Sequence, residues 1–353
     1  MTPAWPGTGL APAEDDEAAW SDEAVLADRS VSVVIATRDR PLLLRRAIEA
    51  VLAQAFDHPI EIIVVFDRSE PDLTLERLTG EPGVGEPGVG EPGVGEPGAG
   101  EPGAGDRRVR VITNTRAPGL AGARNSGIAA AANAWVALCD DDDEWLPGKL
   151  AAQFGALAAT PGARAACTGV LIRYEGNDTA RRPDPAKLTY GGFLDDRMTE
   201  VHPSSWLVHR TTMVDRIGPV DEDLPGSYAE DYDLFLRTAR VCPIAAVDEP
   251  LVRVWWHGAS YFFERWRTID EALDYLVAKH PDFAGHPRGL ARILGQRAVA
   301  QAAMGDRRRA VATALRTLRL NPWEKRVPVA LIVAAGLPAG TALRAAHRLG
   351  KGI

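Results

Sequence analysis

The chain has 353 residues, 46% of them hydrophobic, and a net charge of −8. That length holds one large domain or two smaller ones around an ordinary soluble core, and the acidic balance leaves no global basic field for nucleic acid. Three scattered cysteines, Cys139, Cys167 and Cys242, with no Cys-x-x-Cys spacing, argue against a disulfide framework or a thiolate zinc site.

Residues 1–28 are acidic and rich in Pro and Ala, and they read as a disordered tail. They lack the basic start and apolar core of a signal peptide, so a cytoplasmic location is expected. The β-branched run 31–36 predicts a buried strand. Asp39 then offers a helix N-cap and Pro41 fits the first turn, with Leu44, Ala47, Ile48, Val51 and Leu52 at helical spacing. Residues 60–66 predict a second strand, and strand–helix–strand at this spacing implies a parallel sheet. Residues 81–105 are five tandem pentapeptides, Glu-Pro-Gly-Val-Gly three times and then Glu-Pro-Gly-Ala-Gly twice. Pro and Gly at this density hold neither helix nor ladder, so a flexible insertion is expected.

A third strand is expected at 109–112, a helix at 126–132, and a buried strand through Ala134, Trp135, Val136, Ala137, Leu138 and Cys139. Asp140, Asp141, Asp142 and Asp143 follow directly. Four adjacent carboxylates repel one another, and hard divalent cations take oxygen ligands. In open α/β sheets, ligands bind at the carboxyl ends of strands. The alternative is a solvated acidic loop. Helices are expected at 147–157 and 231–240, a strand at 165–174, and a mostly helical region from about 266 to 353. The late apolar stretch 327–339 is too short and too punctuated to span a membrane.

Several segments in order resemble a family. They are Val33-Val34-Ile35-Ala36-Thr37-Arg38-Asp39-Arg40-Pro41, Val64-Val65-Phe66-Asp67-Arg68-Ser69, Ala123-Arg124-Asn125-Ser126-Gly127-Ile128, and the aspartate run with Glu144-Trp145-Leu146-Pro147. Together they look like a family 2 glycosyltransferase of the GT-A fold, over roughly residues 31–260. The resemblance implies an α/β fold: a mostly parallel sheet flanked by helices over 29–265, with a helical C-terminal extension. It implies nucleotide contacts for Thr37, Asp67, Arg124 and Asp140, with Asp140 reaching ribose or metal, and a Mn²⁺ or Mg²⁺ ion held by Asp142, with Asp143 the alternative as the more direct ligand and His257 near the metal or diphosphate. The segment Asp221 to Leu234 resembles the acceptor-side motif, and it implies Asp231 as the general base of an inverting transfer. Asp231 as a mere helix cap is the bland alternative. His202-Pro203-Ser204-Ser205 is expected to line the acceptor side, with Trp255 and Trp256 shaping the acceptor pocket or filling core.

The second-strand motif departs from the family, because Phe66-Asp67-Arg68-Ser69 carries one acid and no glycine where the family often has more, which leaves the donor base open. The partners implied are a nucleotide-sugar donor and a saccharide or lipid-linked acceptor. Peripheral contact at the inner face of a membrane is expected through the C-terminal helices near Arg344, Arg348 and Lys351. A sugar nucleotidyltransferase is the first rival, but the turn Thr37-Arg38-Asp39-Arg40-Pro41 lacks the glycines such enzymes use. A non-catalytic nucleotide-sugar scaffold is the second.

Overall fold

The computed structural model describes residues 21–78, 105–174, 176–255 and 265–348. Nine strands form one sheet. They are β1 (Val31–Thr37), β2 (Ile60–Phe66), β3 (Arg107–Thr113), β4 (Trp135–Asp140), β5 (Glu144–Trp145), β6 (Ala165–Tyr174), β7 (Asn177–Arg181), β8 (Leu207–His209) and β9 (Ile244–Trp255). Their order is β3-β2-β1-β4-β8-β6-β9-β5, with β7 paired to β6. The first four are mutually parallel, as the strand–helix–strand spacing predicts. The sheet as a whole is mixed: β8 runs antiparallel to both β4 and β6, while β9 is parallel to β6.

Alternation along β1 feeds two cores. Val31, Val33 and Ile35 point to one face of the sheet and Val34 to the other. The first face is covered by helices Pro41–Leu52 and Lys149–Ala159, which bury Leu44, Ile48, Leu150 and Phe154 there. The second is covered by Leu120–Ala130 and Glu230–Val241, through Ile128, Leu234 and Phe235. Leu120–Ala130 lies very close to the sheet. A Cβ on Gly127 would stand 2.3 Å from the Val34 side chain, so only glycine fits there.

Two local expectations are corrected. Asp39 does not cap the helix at Pro41. It sits at φ 55° in the turn after β1, and the cap position is Arg40, with no side-chain cap. The stretch 1–28, expected as a disordered tail, ends in a short helix, Asp22–Ala27, capped by Ser21 and anchored by buried Val25. Residues 1–20 lie outside the described residues, as do the pentapeptides apart from Gly105.

Helices Trp266–Lys279, Pro287–Ala303, Arg307–Leu320, Arg326–Ala334 and Ala339–Arg348 follow. The first two share the second core through Leu273, Leu276, Leu290 and Ile293. Arg292 also donates to the Tyr232 hydroxyl at 3.0 Å. The later helices build a small separate core against Ala298 of Pro287–Ala303, with Ala310, Ala314 and Val327.

Candidate active site

The parallel register aligns the carboxyl ends of β1 to β4: Thr37 pairs with Phe66, Phe66 with Thr113, and Ala36 with Asp140. The chain leaves β1 for β2 on one side and reaches β4 on the other, so the switch point of the strand order, where open α/β sheets bind ligands, lies between β1 and β4. The aspartate run turns there, Asp143 N–H donating to the Asp140 carbonyl at 3.2 Å.

That turn divides the four carboxylates. Asp141 is buried and accepts from the Thr37 hydroxyl at 2.7 Å and from Arg40 at 3.1 Å. Burial pushes its pKa up to about 6, against the Thr37 bond and the Arg40 charge. Asp142 is paired with Arg40 at 2.9 Å, and its pKa is raised by burial and by Asp140. Asp143 is almost wholly enclosed and accepts from the Ser204 hydroxyl at 2.5 Å. Burial, with Asp140 and Asp142 beside it, pushes its pKa well above the usual range.

Ligand atoms of Asp140, Asp143 and His202 all lie within 4.8 Å of one another. The His202 ring stands 3.3 Å from the Asp143 carboxylate. Its Nδ1 accepts from the Ser204 N–H at 3.3 Å, and burial lowers its pKa, so the ring is neutral at neutral pH. Two carboxylates and a neutral imidazole suit a borderline-hard divalent ion. Asp140 and Asp143 are among the residues the resemblance offers for the metal, while Asp142 and His257, the pair it favours, are not in this set, and His202 is not among its metal residues. Asp142 faces Arg40 instead, and His257 lies outside the described residues, as does Trp256. The segment from His202 to Ser205, expected on the acceptor side, packs against the aspartates: Ser204 also accepts from the Asp140 N–H at 2.9 Å.

Arg124 lies on helix Leu120–Ala130, which begins earlier than its sequence suggests. The guanidinium is buried between two acids, bonded to Asp140 at 2.6 Å and to Glu230. Despite burial, those charges raise its pKa, so it is a fixed cation joining the end of β4 to the start of helix Glu230–Val241. Asp67 accepts from Asn114 at 2.8 Å, from the Gly119 N–H at 3.1 Å and from Arg68 at 3.1 Å. Burial opposes ionisation there, but those bonds outweigh it and lower the pKa. In this structure Asp67 fixes the loop that leads into helix Leu120–Ala130.

Glu230 and Asp231 are set apart by their neighbours. Burial, reinforced by the Asp231 charge, raises Glu230 to about 7. Burial also presses on Asp231, yet Arg197 and Arg124 hold it below the usual carboxylate range. Arg197 reaches both Asp231 oxygens at 3.1 Å. Trp255 takes the Arg46 guanidinium over its ring at 4.4 Å.

Arg40, Arg197 and Lys149 carry no role in the sequence reading. Lys149 is fully buried, donating to Gln153 at 2.9 Å, with its ammonium 3.6 Å from the Trp145 ring centre. Burial lowers its pKa to about 7, while in the unfolded chain it titrates near 10.4. The unfolded state therefore binds the extra proton between those values, and this group's destabilising effect shrinks as pH rises from 7. Urea unfolding should show stability rising between about pH 7 and 8.5, below thiol titration. Lys149→Met should flatten that rise, and an unchanged slope would contradict the burial argument.

Comparison with known proteins identifies the family and the fold. Residues 32–83 and 99–213 match the sequence model of the family described as glycosyl transferase family 2. An uncharacterized glycosyltransferase of Bacillus subtilis (strain 168), YwdF, is 25% identical over 212 residues, covering 60% of this chain and 68% of that protein. The crystal structure of S. aureus TarS 1-349 in complex with UDP-GlcNAc superposes with a TM-score of 0.55 at 13% identity, covering 91% of this chain and 92% of that one. The same TarS fragment with UDP gives 0.51 at 13% identity, with the same coverage. At those identities the likeness to TarS is one of fold, a GT-A fold, and it spans the helical C-terminal region as well. The chain belongs to glycosyl transferase family 2 and is a glycosyltransferase.

Proposed function

We propose that the protein is an inverting, metal-dependent transferase that moves a sugar from a nucleoside diphosphate to an acceptor hydroxyl. The observation that carries this reading is Arg124, whose one guanidinium bonds both Asp140 of the aspartate run and Glu230 of the Glu-Asp pair. The residues assigned to donor and acceptor thus meet across one side chain.

Charge supports the metal. Asp140 to Asp143, Glu230 and Asp231 are six carboxylates facing three guanidiniums, those of Arg40, Arg124 and Arg197. A negatively charged diphosphate enters such a site only with a cation. Asp140, Asp143 and His202 would hold Mn²⁺ or Mg²⁺, with Asp142 beside them on Arg40. When bound, the ion offsets the charge that develops on the leaving diphosphate. Thr37, Asp67 and Arg124 line or brace the nucleotide side. Asp231, kept ionised by Arg197, takes the proton of the acceptor hydroxyl as it attacks the anomeric carbon.

The catalytic unit is residues 29–265, and the helical region 266–353 flanks its acceptor side. The acceptor is a saccharide, free or lipid-linked. Among the described residues no helix is long and apolar enough to cross a membrane, so the membrane contact we propose is peripheral, on the cytoplasmic face. TarS is solved with UDP-GlcNAc, which makes a uridine diphosphate sugar the first donor to test. The test is release of nucleoside diphosphate from a panel of sugar donors with Mn²⁺ and a saccharide acceptor. Acceptor-dependent release supports transfer, and nucleotide binding with no turnover on any acceptor would favour a scaffold instead.

A further inference from the structure

We propose that the outward face of helices Arg307–Leu320 and Arg326–Ala334, with the turn between them, docks onto an anionic lipid bilayer. The inference rests on the peripheral-contact reading above and specifies the face that makes it.

Charge along the chain is sharply segregated. Residues 306–353 hold ten Lys or Arg and two acids, and residues 1–305 hold thirty Lys or Arg and forty-six acids. The net charges are therefore +8 and −16. The two acids of the basic segment take up one arginine each, Asp306 lying 3.8 Å from Arg309 and Glu324 beside Arg326. Asp306 caps the helix at the Arg309 N–H, and buried Glu324 is bonded to Arg326 at 2.7 Å. Among the described residues Arg308, Arg316, Arg319 and Lys325 are exposed and form no ion pair.

Helix stability does not explain this placement. Arg307, Arg308 and Arg309 occupy the first turn, where the helix dipole disfavours positive charge; Arg309 is held there by Asp270 at 3.5 Å and Asp306 at 3.8 Å, whereas among the described residues Arg307 and Arg308 form no ion pair. Their position is understandable if an external anionic surface meets that end of the helix.

The same face is apolar. Both helices pack against Pro287–Ala303 and against each other, burying Ala310, Ala314, Val327 and Ala330. Their other sides therefore turn away from the protein, exposing Val311, Leu315, Leu331 and Ile332. Trp323, in the turn between the helices, is 87% exposed. Arginines whose stems flank exposed aliphatic side chains and a tryptophan have the composition of an interfacial surface, in which the apolar groups enter the headgroup boundary and the guanidiniums meet lipid phosphates. Nucleic acid is the weaker fit, because bases stack on aromatic faces and this surface is mainly aliphatic. The acidic remainder of the chain turns the other way in the field of an anionic membrane.

The test is co-sedimentation of the full chain with vesicles of phosphatidylcholine alone or mixed with phosphatidylglycerol. Binding is expected only with the anionic lipid, falling as salt rises. A triple variant, Arg308→Glu with Arg316→Glu and Arg319→Glu, should bind at least about a hundredfold more weakly. Brominated lipid should quench fluorescence in the unaltered chain, and Trp323→Phe should remove most of that quenching, which keeps the proposal testable if the triple variant misfolds. No binding to anionic vesicles, equal binding by a folded triple variant, or preference for duplex RNA over vesicles would each overturn it. Nucleotide binding measured without vesicles should be unchanged in the variants, so failure here is distinct from failure of the transferase reading.

Discussion

Asp231→Asn should lower the transfer rate by about 10²- to 10⁴-fold, the range that a positioned general base contributes. Nucleotide binding should be nearly unchanged, because Asp231 bonds Arg197 and the start of its own helix rather than the aspartate run. The environments of the two acids also separate the candidates by pH. Asp231 is held low, so it loses its charge only below the usual carboxylate range. Glu230 sits at about 7. If Asp231 is the base, kcat at saturating Mn²⁺ and donor should show no half-loss near pH 7, because saturation removes the titration of the aspartate run from the profile. A half-loss near pH 7, or full activity in Asp231→Asn, would move the role to Glu230 or remove it. Arg197→Met should raise the acid limb of the same profile, since it removes the cation that holds Asp231 low.

Removing the cation's side chains should have the other large effect. Asp143→Asn and His202→Ala should each weaken Mn²⁺-dependent nucleotide binding by more than the roughly 10- to 100-fold that losing an outer-shell partner costs. Asp142→Ala should cost less, because its carboxylate is paired with Arg40 and lies outside the Asp140, Asp143 and His202 cluster. Calorimetric titration at fixed Mn²⁺ gives all three values. Loss confined to Asp142→Ala would restore the expectation drawn from sequence and rule out His202 as a ligand.

The sheet's centre was legible because its strands are buried on both faces. The β-branched run of β1 and the apolar runs of β2 and β6 mark their own ends, and helix Pro41–Leu52 follows from its periodicity. Strand β7 is wholly exposed and β8 is three residues long, so neither carries a pattern, and the antiparallel insertion of β8 between β4 and β6 has no local signal. Helix Leu120–Ala130 starts earlier than expected, after Gly119 at φ 126° and with Gly122 inside its first turn, and glycine is a poor helix signal in a sequence. Gly122 allows close packing there: a Cβ on it would meet the Ala117 carbonyl at 1.9 Å.

In the site, the aspartate run announced itself, but its division of labour did not. The tight turn at Asp143 sends Asp141 to Thr37 and Arg40, and Asp143 to Ser204 and His202. His202 lies far downstream, brought in by a single turn of 3₁₀ helix, Pro203–Ser205, that it caps. Arg197 lies among acids and looks like surface in the sequence. Only the fold lays it across Asp231.

The most direct test is calorimetric titration of UDP, GDP and dTDP into the protein with and without Mn²⁺. One nucleotide should bind, binding should require the ion, and Asp143→Asn should abolish the requirement along with most of the affinity. Binding that is indifferent to Mn²⁺, or no binding of any nucleotide, would contradict the proposed function.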